Sequence, residues 1–324
     1  MEDLPRGANF VRSKMLWEIG LHIAGDPGIR YGGNRDMCIA VGSGGQADFR
    51  PSLKLATGSA IMAHDVVKGN VDMSFVNPSG LLTQAYRGTG LFQEKLPVRI
   101  VANYPSWDSF AIVVHKRTGL KTVRDIKDSK YPLKISIRED PTHSTLVLMD
   151  QMFAVDGFSL KDFVGWGGQI MATGSPMHEA KRLRPIREQT LDAVADEALV
   201  VWFDDALAAD YVPLDFSDAC FAEVTRLGWR RVVLKPGGRY KNLKREYACI
   251  DFSGWPLYTR ASMPDEVVYK VCDAIVARQV EIPWEERTYS GIAQPFVETE
   301  ATPMDVPLHP GTERWLKDNA GKFK

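Results

Sequence analysis

The chain has 324 residues, 44% of them hydrophobic and 25% charged, with a formal net charge of -1. That length allows two lobes with large cores, and the near-neutral balance gives no general attraction to nucleic acid or to an anionic membrane. No apolar run reaches the roughly 18 residues of a spanning helix. Cys38, Cys220, Cys249 and Cys272 are scattered and, with the dispersed histidines, form no zinc-ligand spacing, so neither metal nor cofactor is expected.

In chain order, Val11, Met15, Leu16, Ile19 and Ile23 form a helical stripe, which predicts an amphipathic helix over residues 9–24. Met37 to Val41 reads as a strand, and the turn Gly42-Ser43-Gly44-Gly45 lets backbone come close to a ligand. The dinucleotide fingerprint is not met, because the third glycine is missing and no helix follows directly. Leu53 to Ala56 is a second strand, and Thr57-Gly58-Ser59 is predicted to open a helix running to about Lys68. A strand ending near Val76 is stopped by Asn77-Pro78-Ser79, before a helix over 80–87. Val98 to Asn103 and Phe110 to Val114 read as strands around the loop Tyr104-Pro105-Ser106-Trp107. Strands alternating with helices argue for α/β layering with a largely parallel sheet.

The stretch LKISIREDPTHSTLVLMDQMF, residues 133–153, carries the most chemistry. Leu133, Ile135 and Ile137 alternate as in a half-buried strand, and Leu146, Met149, Met152 and Phe153 repeat at helical spacing. Thr142 or Ser144 can serve as the N-cap of that helix. A strand, a polar loop and a helix N-terminus together suit an anion, and Arg138 at the strand's end adds a bidentate carboxylate contact. The competing reading is an ordinary capped helix with a solvated arginine. Farther on, Trp166-Gly167-Gly168 follows a short apolar segment, and Ser175-Pro176 is predicted to start a helix. Lys181, Arg182, Arg184 and Arg187 read as a solvated face flanked by Glu179 and Glu188. Ala198 to Phe203 reads as a buried strand with Asp204 and Asp205 at its carboxyl end, and Arg231 to Leu234 as a strand running back between lobes. Strands at 247–252 and 256–259, a helix from Met263-Pro264-Asp265 and a short helix in the tail complete the chain.

Four stretches resemble the TAXI-type solute receptors of tripartite (TRAP) transporters: TGSAIMAHDVVKGNVDMSFVNPS, the segment from Leu96 to Asp128, the Leu133–Gly157 stretch, and the tail Pro307-Leu308-His309-Pro310-Gly311 with Glu313-Arg314-Trp315. The resemblance covers roughly residues 50–324 in order and is absent from the N-terminus, where the family's opening strand is missing. It implies an α/β, two-lobed type II periplasmic-binding-protein fold with hinge strands and an interlobe ligand cleft. It also implies that Thr57, Gly58, Ser59, Ser144 and Thr145 line that cleft around a small carboxylate.

From the pattern, one lobe is expected from residues 1–112 and 236–324 and the other from 113–235. Position at strand ends and turns adds Ser43, Gly44, Asn77, Ser79, Arg138, His143 and Asp204 to the candidate ligand set. Tyr104, Trp107, Trp166 and Trp202 are candidate aromatic walls. The expected function is capture of a small organic anion for TRAP membrane subunits, without nucleic acid, membrane insertion or a catalytic residue. The alternatives are an enzyme on the same fold, a decarboxylase or isomerase with Glu139, His143 and Asp204 as an acid–base set, and a ligand-sensing module. The opening MEDLPRGANFVRSK lacks a signal peptide's apolar segment, which implies a periplasmic protein if an export signal has been removed and a cytoplasmic one otherwise.

Overall fold

The computed structural model describes residues 15–20, 22–23, 38–42, 52–57 and 60–323. Its strands are β1 Cys38–Gly42, β2 Ser52–Thr57, β3 Met73–Phe75, β4 Val98–Tyr104, β5 Ser109–His115 and β6 Lys134–Arg138. They continue with β7 Gln169–Thr173, β8 Ala193–Asp196, β9 Tyr211–Pro213, β10 Arg230–Leu234, β11 Tyr247–Asp251 and β12 Trp255–Arg260. The first sheet has the order β1-β2-β3-β12-β4; the second runs β10-β11-β5-β8-β6-β7, with β9 also pairing β5. Each sheet with its helices forms one lobe, so the fold is the expected two-lobed α/β arrangement.

The sheets are mixed and not largely parallel. Among the described strands, parallel pairing is limited to β2 with β3, and β6 with β7 and β8, while β12 runs antiparallel to both β3 and β4. The reason is visible in β5, whose residues are all buried. It is flanked by antiparallel β8, β9 and β11, and a strand covered on both faces reads as an unbroken apolar run whichever way its neighbours point.

The chain passes between sheets at 105–108 and again at 252–254. Thus Tyr247–Asp251, expected in the first lobe, belongs to the second sheet, where it pairs β10 along its whole length. Arg230–Leu234 stays inside the second sheet and does not run between lobes. The two passages are laced together: Phe252 N–H donates to Asp108 O at 2.9 Å and Gly254 N–H to Ser106 O at 2.8 Å. Gly254 has φ +75°, and a Cβ there would lie 2.5 Å from Ser79 Oγ, so the return passage needs glycine.

Helix starts follow local capping chemistry. Thr122 and Asp125 form a capping box before Val123–Ser129, and Ser217 Oγ accepts the Cys220 N–H before Asp218–Leu227. Two expected starts are displaced. The helix after β2 begins at Met62 and not at Thr57, which is the last residue of the strand. The turn after Ser175-Pro176 becomes helical only at Glu179. Ala198–Phe203 is no strand at all: Leu199–Ala208 is a helix with Leu199, Trp202, Phe203 and Ala206 buried. Cys220, Cys249 and Cys272 are buried free thiols, and Cys38 is exposed. No helix among the described residues is long and apolar enough to cross a membrane.

Candidate functional site

β6 ends at Arg138, and the helix Ser144–Val155 begins after the polar loop. The cap is neither Thr142 nor Ser144. His143 takes that place, its Nδ1 accepting the Thr145 N–H at 3.3 Å. Arg138 is only 7% exposed, and its Nε donates to Asp196 Oδ1 at 2.8 Å while Nη2 donates to Glu197. The second Asp196 oxygen accepts from Arg182, whose Nε also donates to Ser136 Oγ at 3.1 Å. Arg182 and Asp196 are fully buried, so Arg182 is not part of a solvated face. The guanidinium of Arg138 is committed to carboxylates at the carboxyl end of β8 and is no free charge for a bound anion. A buried charge persists only when partnered in this way.

Burial first, and then the positive Arg138, hold the His143 imidazole below its usual value. A histidine depressed in the folded state binds more protons once unfolded, so its contribution is present above the unfolded value near 6.5 and is lost as pH falls from there through the lower folded value. Urea unfolding at about pH 7.5 and about pH 5.5 should therefore show lower stability at the acid end. His143→Gln should reduce that difference; an unchanged pH dependence would remove His143 from the account.

The remaining expected residues are dispersed. Ser144 and Thr145 are buried in the first turn of their helix. Trp202 is fully buried with its Nε1–H donated to Glu197 O at 2.8 Å. Asp204 accepts the backbone N–H groups of Lys241 at 3.2 Å and Asn242 at 3.0 Å, which ties its helix to the loop before β11. Asp204 is thus engaged with that loop, while His143 is engaged as the cap of the helix Ser144–Val155. Trp166 caps the end of Leu160–Gly165 and lies against Phe158. Ser79 is buried beside Asn103 Nδ2 at 3.2 Å. Ser43, Gly44, Gly58 and Ser59 lie outside the described residues, as does the side chain of Thr57.

A cavity of about 460 Å³ lies where the two lobes and the first passage meet. Asn77, Trp255 and residues 285–288 line it from the first lobe, Glu197, Ala198, Val200 and Arg239 from the second, and Ser106, Trp107 and Asp108 from the passage. Asn77 and Trp107 are thus the members of the expected set placed at its wall. The Arg239 guanidinium lies 3.8 Å over the Trp107 ring. Ser106 Oγ donates to Glu285 Oε1 at 3.1 Å, fixing the 285–288 loop to the passage. Arg287 is exposed and has no ion-pair partner among the described residues.

At the deep end, Asp108 accepts N–H groups from Ser109 at 2.7 Å and Ala198 at 2.8 Å. Ala198 itself has φ 56°, a left-handed conformation that an L side chain adopts at a cost of about 1–2 kcal/mol. Burial first, then the charge of Glu197 and a hydrogen bond to it, push the Asp108 carboxyl well above the usual carboxylate range. This end of the cavity therefore sets two carboxyl groups, Asp108 and Glu197, on one wall. Sequence reading missed the acid pair, since each is adjacent to a more conspicuous residue, Trp107 and Asp196. It also missed Glu285-Glu286-Arg287, whose charged run inside a loop was the available signal.

A larger groove of about 970 Å³ runs between the first sheet and the helix Asp265–Ala277. Leu55, Phe75, Leu257, Val271 and Ile275 line it with Tyr104 and Trp17. Tyr104 there stacks between Trp255 at 5.0 Å and Trp284 at 5.3 Å. Among the described residues its lining is apolar apart from Glu266 and Lys270. Among the described residues no group of three or more His, Cys, Asp or Glu side chains is placed to hold a metal ion.

A family model described as the NMT1-like family matches residues 43–319. Among solved structures, a Xanthomonas citri protein bound to chloride ion is 11% identical, covers 81% of both chains and has a TM-score of 0.38. A structure described as a periplasmic transporter is 11% identical over 82% of this chain and 81% of its own, with a TM-score of 0.37. Lactococcal OpuAC, closed on glycine betaine, is 11% identical over 81% and 82%, with a TM-score of 0.35.

Proposed function

The chain belongs to the NMT1-like family, and from that premise we propose that it is a solute-binding protein which holds a small organic acid in the interlobe cavity. The observation that carries this reading is the cavity itself, walled by both lobes and by the passage between them. A ligand touching all three is a reason for the lobes to close, because it binds the closed form better than the open one. Arg287, with no described ion partner, is the available carboxylate contact, and Arg239 lies on the same wall. Trp107, Trp255 and Val200 supply apolar surface for the body of the acid.

The partner that receives the solute is, in this reading, the membrane part of a TRAP-type transporter, and the protein works in the periplasm. The four sequence stretches that resemble TAXI-type receptors support both statements.

A thermal-shift screen of small mono- and dicarboxylates tests the reading. A binder at a hundredfold excess over its dissociation constant should stabilise the fold by about 2.7 kcal/mol. Calorimetry on the best binder should then lose about 2 kcal/mol or more in Trp107→Ala, which removes a central aromatic wall. Arg287→Ala should cost about 1 kcal/mol, since the guanidinium is exposed before binding. Parent-like affinity in both variants would place the solute elsewhere.

A further inference from the structure

The loop that lines the cavity from the first lobe is held by side chains that face the groove. Glu285 to Thr288 line the cavity, whereas Trp284, the residue before them, lines the apolar groove. Trp284 and Tyr289 bracket the loop, and their rings stack with centroids 4.6 Å apart and planes 4° from parallel. The loop is therefore pinched at its base. The stack continues from Trp284 through Tyr104 at 5.3 Å to Trp255 at 5.0 Å. Tyr104 ends β4 and Trp255 begins β12, and the two residues are partners in that pairing, so the rings rest on sheet. Hydrogen bonds fasten the loop to the same place: Tyr104 Oη donates to Pro283 O, and Thr288 Oγ1 to Pro105 O at 3.0 Å. The Trp284 indole is itself fixed, its Nε1–H donating to Gln279 O at 2.7 Å. At the tip, Glu286 and Arg287 are exposed. Without the pinch, Arg287 would sample many positions, and a solute would have to order the loop as it bound.

We propose that Trp284 is a positioning residue for the cavity: stacked between Tyr104 and Tyr289, it holds residues 285–288 and so presents Arg287 to the solute. Its consequence for binding rests on the cavity being the solute site; the pinch itself does not. Trp284 reaches the solute only through the loop, so its contribution and that of Arg287 are one contribution and not two.

Limited trypsin digestion of the full chain tests the pinch without any ligand. Trp284→Ala removes two aromatic pairs and should speed cleavage after Arg287 about tenfold, because cleavage follows the population of the opened loop. Cleavage in the second lobe should stay within about twofold of the parent's rate. Trp284→Phe keeps a stacking ring and should restore protection to within about threefold. Tyr289→Leu opens the pinch from its other side, and it decides the matter if Trp284→Ala does not fold. Calorimetry with benzoate and succinate as probes then reads the effect on binding. Trp284→Ala should weaken the probe that binds by about fivefold, as much as Arg287→Ala, and the double variant should lose no more than either alone. Parent-like cleavage after Arg287 in both pinch variants overturns the positioning role. So does cleavage that quickens equally in both lobes, or losses in binding that add in full. A parent chain that binds neither probe, nor any acid of the carboxylate screen, overturns the solute reading instead, and cleavage alone then decides whether the pinch holds the loop.

Discussion

Asp196→Ala should lower the stability of the fold by about 3–5 kcal/mol, the cost of leaving buried charge without its partner. Asp196 is fully buried at the end of β8, with one oxygen on Arg138 Nε at 2.8 Å and the other on Arg182. Removing it strands a fully buried guanidinium at Arg182 and halves the anchoring of Arg138, which retains Glu197. The surface pair Lys116–Asp210 is the contrast: its side chains are 60% and 57% exposed, and Asp210→Ala should cost far less, because solvent screens an exposed pair. Urea unfolding of both variants makes the comparison. A loss at Asp196 no larger than at Asp210 would mean that water reaches the cluster in solution.

Trp202→Ala should cost a similar amount, about 3–5 kcal/mol, by a different route. Its indole is fully buried in the helix Leu199–Ala208, edge-on to Phe203 with ring centroids 5.7 Å apart. Truncation opens a cavity in the second lobe and removes the donor that Glu197 O accepts at 2.8 Å. Trp202→Phe should recover most of the packing and leave only the lost hydrogen bond, about 1 kcal/mol. If alanine and phenylalanine cost the same, the hydrogen bond and not the cavity carries the loss.

These two positions also show what the sequence makes legible. Ala198 to Phe203 is a short apolar run with two valines, and short apolar runs do not separate strand from buried helix. Extending the window settles it, since Leu199, Trp202, Phe203 and Ala206 fall at helical spacing and are buried while Val200 is 58% exposed. The strand, loop and helix around Arg138 were readable because each is local. What Arg138 does there was not readable, because its acceptor lies 58 residues later. The same holds for Arg182, whose basic neighbours in sequence suggest solvent while its side chain turns to Ser136 and Asp196. Strand direction was misjudged because β5 is buried throughout and carries no trace of which way its neighbours run. The cavity was only partly visible: Asn77 and Trp107 adjoin strand ends, whereas residues 285–288 belong to a loop with no periodic signature.

The position of β12 bears on the order in which the protein takes shape as it leaves the ribosome. β3 and β4 do not pair with each other; β12 lies between them and hydrogen-bonds to both. Every strand of the second sheet precedes β12 in the chain, its last being Tyr247–Asp251. The half of the molecule that is begun second can therefore be finished first. β1 to β3 and β4 must wait as separate pieces, with the apolar faces of Met73, Val101 and Ala102 uncovered, until Trp255–Arg260 emerges to join them. Exposed apolar strands of this kind are the hazard of long-range pairing, and here the hazard lasts for the whole synthesis of the other lobe.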